Sequence, residues 1–395
     1  MFKKVIVGIS GGVDSAVAAL LLKSKGFKVT GIFMRNWDIV NELGECQAEK
    51  DYEDAKWICN RLKIPLHDVN FVKDYWNEVF SYLLENYEVG KTPNPDIQCN
   101  KKIKFNKFFH YARTELGADA IATGHYARNS FGSFLEDYKP DKNASLLKAK
   151  DTLKDQTFFL SQIPQSSLRR TMFPLGDYLK KDVKKMAKEA NLEILANKKE
   201  SMGICFIGSR QFQDFIVEYV EEKPGYFIDF KTGNIVGKHT GIHQWTLGQG
   251  CKIGGLASPY FVFRKDTANN NIYVVAGNSN RALFSEFLVA SNVHWINEEP
   301  LELKNRKVYD CDFRFQHRNI LVPCSVFKTT SNKLLIRLYK PKRAITPGQY
   351  AVLYAGEQCL GSAEITSSGP PFEFLNRDVN DIDVTDPTQV QALQS

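Results

Sequence analysis

Residues 5–22 read Val5-Ile6-Val7-Gly8-Ile9-Ser10-Gly11-Gly12-Val13-Asp14-Ser15-Ala16-Val17-Ala18-Ala19-Leu20-Leu21-Leu22. A short apolar run passes through a tight glycine turn into an apolar helix start. In that arrangement backbone N–H groups and the helix dipole converge on one point, where they can hold a phosphate. Gly11 and Gly12 let the backbone approach an anion closely, and Ser10 and Ser15 add hydroxyl donors. A Walker A loop is excluded because no lysine stands here, and the Gly-x-Gly-x-x-Gly dinucleotide fingerprint is absent. The stretch predicts a nucleotide site built on a strand, a turn and a helix.

The chain continues in the same texture. Lys28 to Met34 reads as a second buried strand, Asp51 to Leu62 as an amphipathic helix, Pro65 to Phe71 as a strand, Lys73 to Tyr87 as a helix and Ala118 to Thr123 as a fourth strand. This alternation predicts an α/β fold, an N-terminal parallel sheet with helices on both faces, whose ligands bind beyond the carboxyl ends of the strands. Met34 and Gly124 follow strands at that end, where they either lie against an adenine or simply fill core and turn the chain. Asn129 to Asn143 is polar and turn-rich, a surface insertion or hairpin. Tyr178 to Ala190 is a lysine-laden helix whose charged face is either solvated or turned toward phosphates.

From Pro224 onward glycines punctuate short β-rich pieces, which places a domain boundary near residue 222 and a small central β-rich domain over 223–287. Val308 to His317, Val322 to Thr329, Lys333 to Tyr339 and Tyr350 to Tyr354 read as strands of a C-terminal β-barrel over 288–369. Residues 370–395 are expected to form an unstructured polar tail.

With 395 residues, the chain has room for two or three cores, and 43% hydrophobic with 25% charged residues describes a soluble globular protein. No apolar run approaches the roughly 20 residues of a membrane span. The net charge of +7 suits a polyanionic partner without identifying one. Eight cysteines are scattered with no Cys-x-x-Cys and no zinc spacing, so no metal site is expected and most should be buried thiols in a reducing compartment. Met1-Phe2-Lys3-Lys4 runs straight into the first strand, leaving no room there for an arginine-rich amphipathic presequence, so composition defaults to cytoplasm.

Two cysteines stand apart by their neighbours. Cys99 lies in Lys91-Thr92-Pro93-Asn94-Pro95-Asp96-Ile97-Gln98-Cys99-Asn100-Lys101-Lys102-Ile103-Lys104-Phe105, where two prolines predict an extended loop and the lysines favour a reactive thiolate over the alternative, a buried structural cysteine. Cys205 lies between charged residues and glycines in Lys198-Lys199-Glu200-Ser201-Met202-Gly203-Ile204-Cys205-Phe206-Ile207-Gly208, either core or a presented thiol.

The first turn, Ser-Gly-Gly-x-Asp-Ser, resembles the PP-loop of enzymes that split ATP into AMP and pyrophosphate to adenylate a substrate oxygen. Together with Thr-Pro-Asn-Pro-Asp-Ile-Gln-Cys-Asn, Ala-Thr-Gly-His-Tyr-Ala, Lys-Asp-Gln-Thr-Phe-Phe-Leu, Gly-Ile-Cys-Phe-Ile-Gly and Thr-Leu-Gly-Gln in order, nearly the whole chain resembles the tRNA-specific 2-thiouridylases. The resemblance implies ATP held by Gly8, Ile9, Ser10, Gly11, Gly12, Val13, Asp14 and Ser15 with Met34 and Gly124, and magnesium with it. It implies Asn94, Pro95 and Asp96 around the target base, Lys154, Asp155 and Gln156 on the tRNA, and Gln316 and His317 as barrel contacts, although Gln316 departs from the arginine often found there. Cys205 would carry a persulfide, Cys99 would be its catalytic partner through a transient disulfide, and Asp96 would handle protons. The partners implied are the tRNA anticodon arm, restricted to lysine, glutamate and glutamine tRNAs, and a persulfide-donating sulfur carrier or cysteine desulfurase. Two stretches look more like animal mitochondrial members, which points to the mitochondrial matrix against the cytoplasmic default. The rival readings are a PP-loop synthetase acting on a small molecule, an RNA-binding protein that retains the loop without catalysis, and an iron–sulfur cluster on Asp96, Cys99 and Cys205.

Overall fold

Val5, Ile6 and Val7 form the middle of strand β1 (Lys4–Gly8) and are fully buried, as a strand covered on both faces requires. The computed structural model describes residues 2–37, 47–198, 212–255 and 257–369. The chain divides into two units, the first comprising Met1–Phe80, Pro95–Ser209 and Gly356–Leu360, the second Ser81–Asn94, Arg210–Ala355 and Gly361–Ser395.

In the first unit β1 leads into helix α1 (Val13–Ser24), strand β2 (Lys28–Arg35), helix α2 (Gln47–Leu62) and strand β3 (Leu66–Asn70), with β4 (Ala120–Ala122) after a further helical stretch. The sheet order is β3-β2-β1-β4 with Thr171–Met172 at the edge, all pairings parallel. β1 is therefore central, and its carboxyl end opens where the order reverses, the crevice in which such sheets bind ligands. Gly26 ends α1 in the left-handed region at φ +84. At the amino end the Asp119 carboxylate accepts the Lys3 and Lys4 amides at 2.9 and 2.8 Å, which ties β4 to β1 and lowers its pKa.

The proline-rich stretch departs from its sequence reading. The chain is helical from Pro95, through Pro95–Gln98 into a π-helical segment Cys99–Phe108 and on to Phe109–Thr114. Pro95 opens the helix, where a proline loses no hydrogen bond because the first N–H is an orphan. Lys102 and Lys107 lie on that helix and pair with Glu78 and Asp74. The polar stretch after β4 is a hairpin, Arg128–Asn129 pairing antiparallel with Leu146–Leu147, to which Gln358 and Cys359 add a third strip.

The second unit holds two β structures. The first is a sheet ordered Gly250–Cys251, Tyr260–Asp266, Asn271–Ala276, Gly225–Asp229, Ile235–His239, around Phe227, Val262, Ile272 and Val274. The second is a barrel running Phe284–Trp295, Leu334–Arg343, Val322–Lys328, Tyr309–Arg314, Tyr350–Ala355, Gln358–Ser368, closed by pairing of the first and last strands. Leu288, Ile336, Val326, Phe313, Val352 and Ile365 fill it. The two closing strands escape the sequence reading because register shifts at Ser285/Phe287 and Val289/Ala290 break their period of two. The expected tail lies outside the described residues.

Candidate active site

The turn after β1 is braced internally. Ser15 Oγ accepts the Ser10 amide at 3.1 Å and donates to the Gly12 carbonyl at 3.1 Å, so one side chain closes the loop on itself. Gly11 sits at φ +74, and a Cβ there would meet the Asp51 carbonyl oxygen at 2.6 Å. Gly12 caps α1 with no side-chain acceptor, which leaves the first amides of the helix for an anion. These constraints explain both glycines.

Two predicted neighbours come to this loop. A Cβ on Gly8 would stand 3.2 Å from the Met34 methyl, and one on Gly124 would stand 2.7 Å from the Ser15 nitrogen and 2.8 Å from the Asp14 carbonyl carbon. Gly124 is bare because the strip after β4 lies flat on the head of α1. Arg35, beside Met34, pairs with Asp68 at 2.7 Å and Glu49 at 2.8 Å and packs 4.7 Å from the Tyr52 ring, which fixes the end of β2.

Asp14 is the charged member of the loop, and its partners were not singled out in the sequence. Lys180, at the start of helix Lys180–Glu189, donates to both its oxygens at 2.8 and 2.7 Å, and the Tyr126 hydroxyl donates at 2.9 Å. The Lys180 side chain is 12% exposed and its ammonium lies 5.7 Å from the Tyr126 ring centre. The only sequence signals were that Lys180 belongs to a lysine-laden helix and Tyr126 to Gly-His-Tyr. His125 lies against Thr123 Oγ1 and between Phe105 and Phe173; burial there, with Lys104 nearby, holds its pKa well below the usual imidazole range.

Gln156 and Tyr126 are joined twice, the Tyr126 amide donating to the Gln156 side-chain Oε1 at 2.9 Å and the Gln156 amide to the Tyr126 carbonyl at 2.8 Å. Asp155 is 3% exposed; its carboxylate accepts from Thr157 Oγ1 at 2.8 Å and from the Ala149 amide at 3.0 Å. Lys154 is half-buried on the same turn. Thus Lys154, Asp155 and Gln156 form one turn, joined through Tyr126 to Asp14.

Cys99 is 6% exposed and sits in the helix rather than on an extended loop, with Pro95 buried and Asp96 half-buried one turn before it. That helix is fastened by Asn100 Nδ2 to the Phe159 carbonyl and by Lys101 to Gln162, and its Phe108 ring lies 3.8 Å from where a Gly8 Cβ would stand. Cys205 lies outside the described residues. Lys198, close before it in sequence, bonds Asp51 and Asp54 of α2 at 3.2 and 2.6 Å; the two carboxylates outweigh burial and raise its pKa. In the second unit Asn94 Nδ2 donates to Gln349 Oε1 at 3.3 Å. Gln316 is exposed and His317 half-buried in the turn after strand Tyr309–Arg314, where Asn319 donates to Gln316 Oε1 at 3.1 Å. Among the described residues no group of three His, Cys, Asp or Glu is placed to hold a metal ion.

Residues 3–209 match the family model described as tRNA methyl transferase HUP domain, 213–276 the tRNA methyl transferase PRC-barrel domain and 285–365 the aminomethyltransferase beta-barrel domain. The mitochondrial tRNA-specific 2-thiouridylase 1 of Drosophila melanogaster is 51% identical over 94% of this chain and 95% of its own length. The human protein of the same name is 48% identical over 95% of this chain and 93% of its own, and the Bacillus cytotoxicus tRNA-specific 2-thiouridylase MnmA is 44% identical over 94% and 98%. A braced, uncapped phosphate loop at the end of β1, in a chain alike to these proteins almost end to end, leads to one assignment: the chain belongs to the tRNA-specific 2-thiouridylase family.

Proposed function

We propose that this chain is a tRNA sulfurtransferase that replaces the carbon-2 oxygen of the wobble uridine of lysine, glutamate and glutamine tRNAs by sulfur. The observation that carries the chemistry is the uncapped head of α1, which Gly124 approaches so closely that a Cβ there would stand 2.7 Å from the Ser15 nitrogen. Its amides and Ser10 and Ser15 take the phosphates of ATP, and Met34 and Gly124 line the nucleotide. The uridine oxygen attacks the α-phosphorus, the bond to the β-phosphate oxygen breaks, and pyrophosphate leaves on the helix head, which stabilises its charge. A magnesium ion carried on the ATP phosphates would neutralise that charge further.

Cys205 carries sulfur as a persulfide. The Cys99 thiolate attacks the inner sulfur, forming a Cys99–Cys205 disulfide and releasing hydrosulfide, which adds to carbon-2 and expels AMP with the former carbonyl oxygen. A thiol reductant then restores both cysteines. Asp96 moves protons beside Cys99. Asn94, Pro95 and Asp96 surround the extruded base, the turn Lys154-Asp155-Gln156 meets the RNA with Asp155 bracing it from inside, and Gln316 and His317 touch it from the barrel. A persulfide-donating carrier or cysteine desulfurase supplies the sulfur. The names of the animal relatives support a mitochondrial matrix setting.

The test is thiolation of a wobble-uridine tRNA transcript with ATP, magnesium and a persulfide donor, read by retardation on a mercury gel with AMP release. Wild type should give both, and Cys99→Ser and Cys205→Ser should give no retarded tRNA. AMP without thiolated tRNA in wild type would transfer the assignment to a small-molecule synthetase, and stoichiometric iron in anaerobically purified protein would overturn the persulfide route.

A further inference from the structure

The first unit has a cationic groove at the opposite end of its sheet's strands from the nucleotide loop. An open groove of about 570 Å³ is lined by Arg113, Arg169 and Arg170 together with His110, Phe109 and Tyr138. Arg170 places it, because its Nη1 donates to the Asp119 carbonyl at 3.1 Å and its guanidinium lies 5.9 Å from the Phe2 ring, both at the amino ends of β1 and β4. The nucleotide loop leaves the carboxyl end of β1, five residues away, roughly 15 Å at strand rise.

The three guanidiniums are fixed without being neutralised. Arg169 and Arg170 lie 5.8 and 5.9 Å from the Tyr138 ring centre, and Arg113 lies 5.8 Å from that of Phe109. Among the described residues none of the three forms a salt bridge; the Asp119 carboxylate, whose pKa the Lys4 and Lys3 amides and, less, the charge of Arg170 lower, is held by those two amides. A guanidinium carries five N–H donors, yet Arg169 commits one to the Pro140 carbonyl and Arg170 one to that of Asp119, and Arg169 Nε is buried with no partner. Arginines held on aromatic faces with their forks open match the geometry of a phosphate.

We propose that this groove is a phosphate site that grips the RNA backbone, separate from the loop that grips the nucleotide. That its phosphates come from RNA rests on the function proposed above. Arg113 and Arg169 supply the forks, and Arg170 sets the floor.

The test measures tRNA affinity by fluorescence anisotropy over a salt series for wild type and the Arg113→Gln/Arg169→Gln double variant, with the KM for ATP, the unfolding midpoint and calorimetric titration of inorganic phosphate alongside. The double variant should bind tRNA about tenfold more weakly at low salt. Its slope of log affinity against log salt should be shallower by about 0.7 to 1.8, the loss of one or two phosphate contacts. Its KM for ATP should be unchanged. Unchanged tRNA affinity and slope would overturn the proposal, as would loss of inorganic phosphate binding with tRNA binding intact, which would make it a small-anion site. If the double variant is destabilised, Arg113→Glu alone is judged by the same slope and the same criteria. Failure of wild type to bind or thiolate tRNA would instead refute the parent reading.

Discussion

Removal of the Lys180 ammonium is the most direct probe of the loop. With Lys180→Met, Asp14 keeps one donor, Tyr126, and loses two contacts of 2.8 and 2.7 Å from a cation only 12% exposed. A fully buried pair broken on one side costs about 3–5 kcal/mol and an exposed pair under about 1; this partly buried pair should fall near 2 kcal/mol. The bare carboxylate then faces the incoming phosphates. At about 6 Å and an effective dielectric near 40, each charge pair adds roughly 1.4 kcal/mol of repulsion. ATP affinity should therefore fall about 30- to 100-fold, read as Kd with a fluorescent ATP analogue and as KM in AMP formation. If Lys180 acts by neutralising Asp14, adding Asp14→Asn should recover most of the lost affinity, a coupling near 2 kcal/mol in the double-mutant cycle. Strictly additive losses would refute the reasoning.

Three further outcomes are expected. Gly124→Ala would drive a methyl against the Ser15 nitrogen and Asp14 carbonyl carbon, backbone atoms that cannot yield; AMP formation should fall more than about tenfold, with about 1–3 kcal/mol lost in urea titration. Asp155→Ala strands Thr157 Oγ1 and the Ala149 amide, so the unfolding free energy should drop by about 2 kcal/mol, and tRNA affinity should weaken with it while Asp155→Asn recovers part of both. His239 is 6% exposed, and burial lowers its pKa from 6.5 to about 4. Because the folded pKa is the depressed one, its neutral form's stability is present above pH 6.5 and is lost as pH falls toward 4, about 3 kcal/mol in all; His239→Phe should flatten that stretch of the stability curve.

Legibility in the sequence followed distance along the chain. The turn at Gly8 to Ser15 could be read because strand, glycines and helix are contiguous; Met34 and Gly124 could be placed beside it because each ends a recognisable strand, but whether they line a nucleotide or only fill core and turn the chain stayed open. The bond between Lys180 and Asp14 spans 166 residues, so the lysine-rich helix alone left its charged face undecided. The helix under Cys99 was hidden by Pro93 and Pro95, since a proline signals a break inside a helix and a start at its first position with the same letter. The edge strand Thr171–Met172 is too short to show a period. Only the resemblance puts Asp155 toward the RNA; within its own turn it binds the Thr157 hydroxyl, the capping role open to an aspartate before a helix.

Tyr126 bonds the Gln156 turn with its backbone and Asp14 with its hydroxyl, while only 2% exposed. A residue so placed passes a shift at the turn to the loop, and on the roles proposed above that would join the two substrates. If RNA on the turn tightens ATP on the loop by some factor, ATP must tighten RNA by the same factor, because the two affinities share one coupling free energy. Tyr126→Phe, which keeps the backbone bonds and removes the hydroxyl, should then leave each substrate bound but indifferent to the other, so that ATP would bind equally well whether or not a tRNA was there.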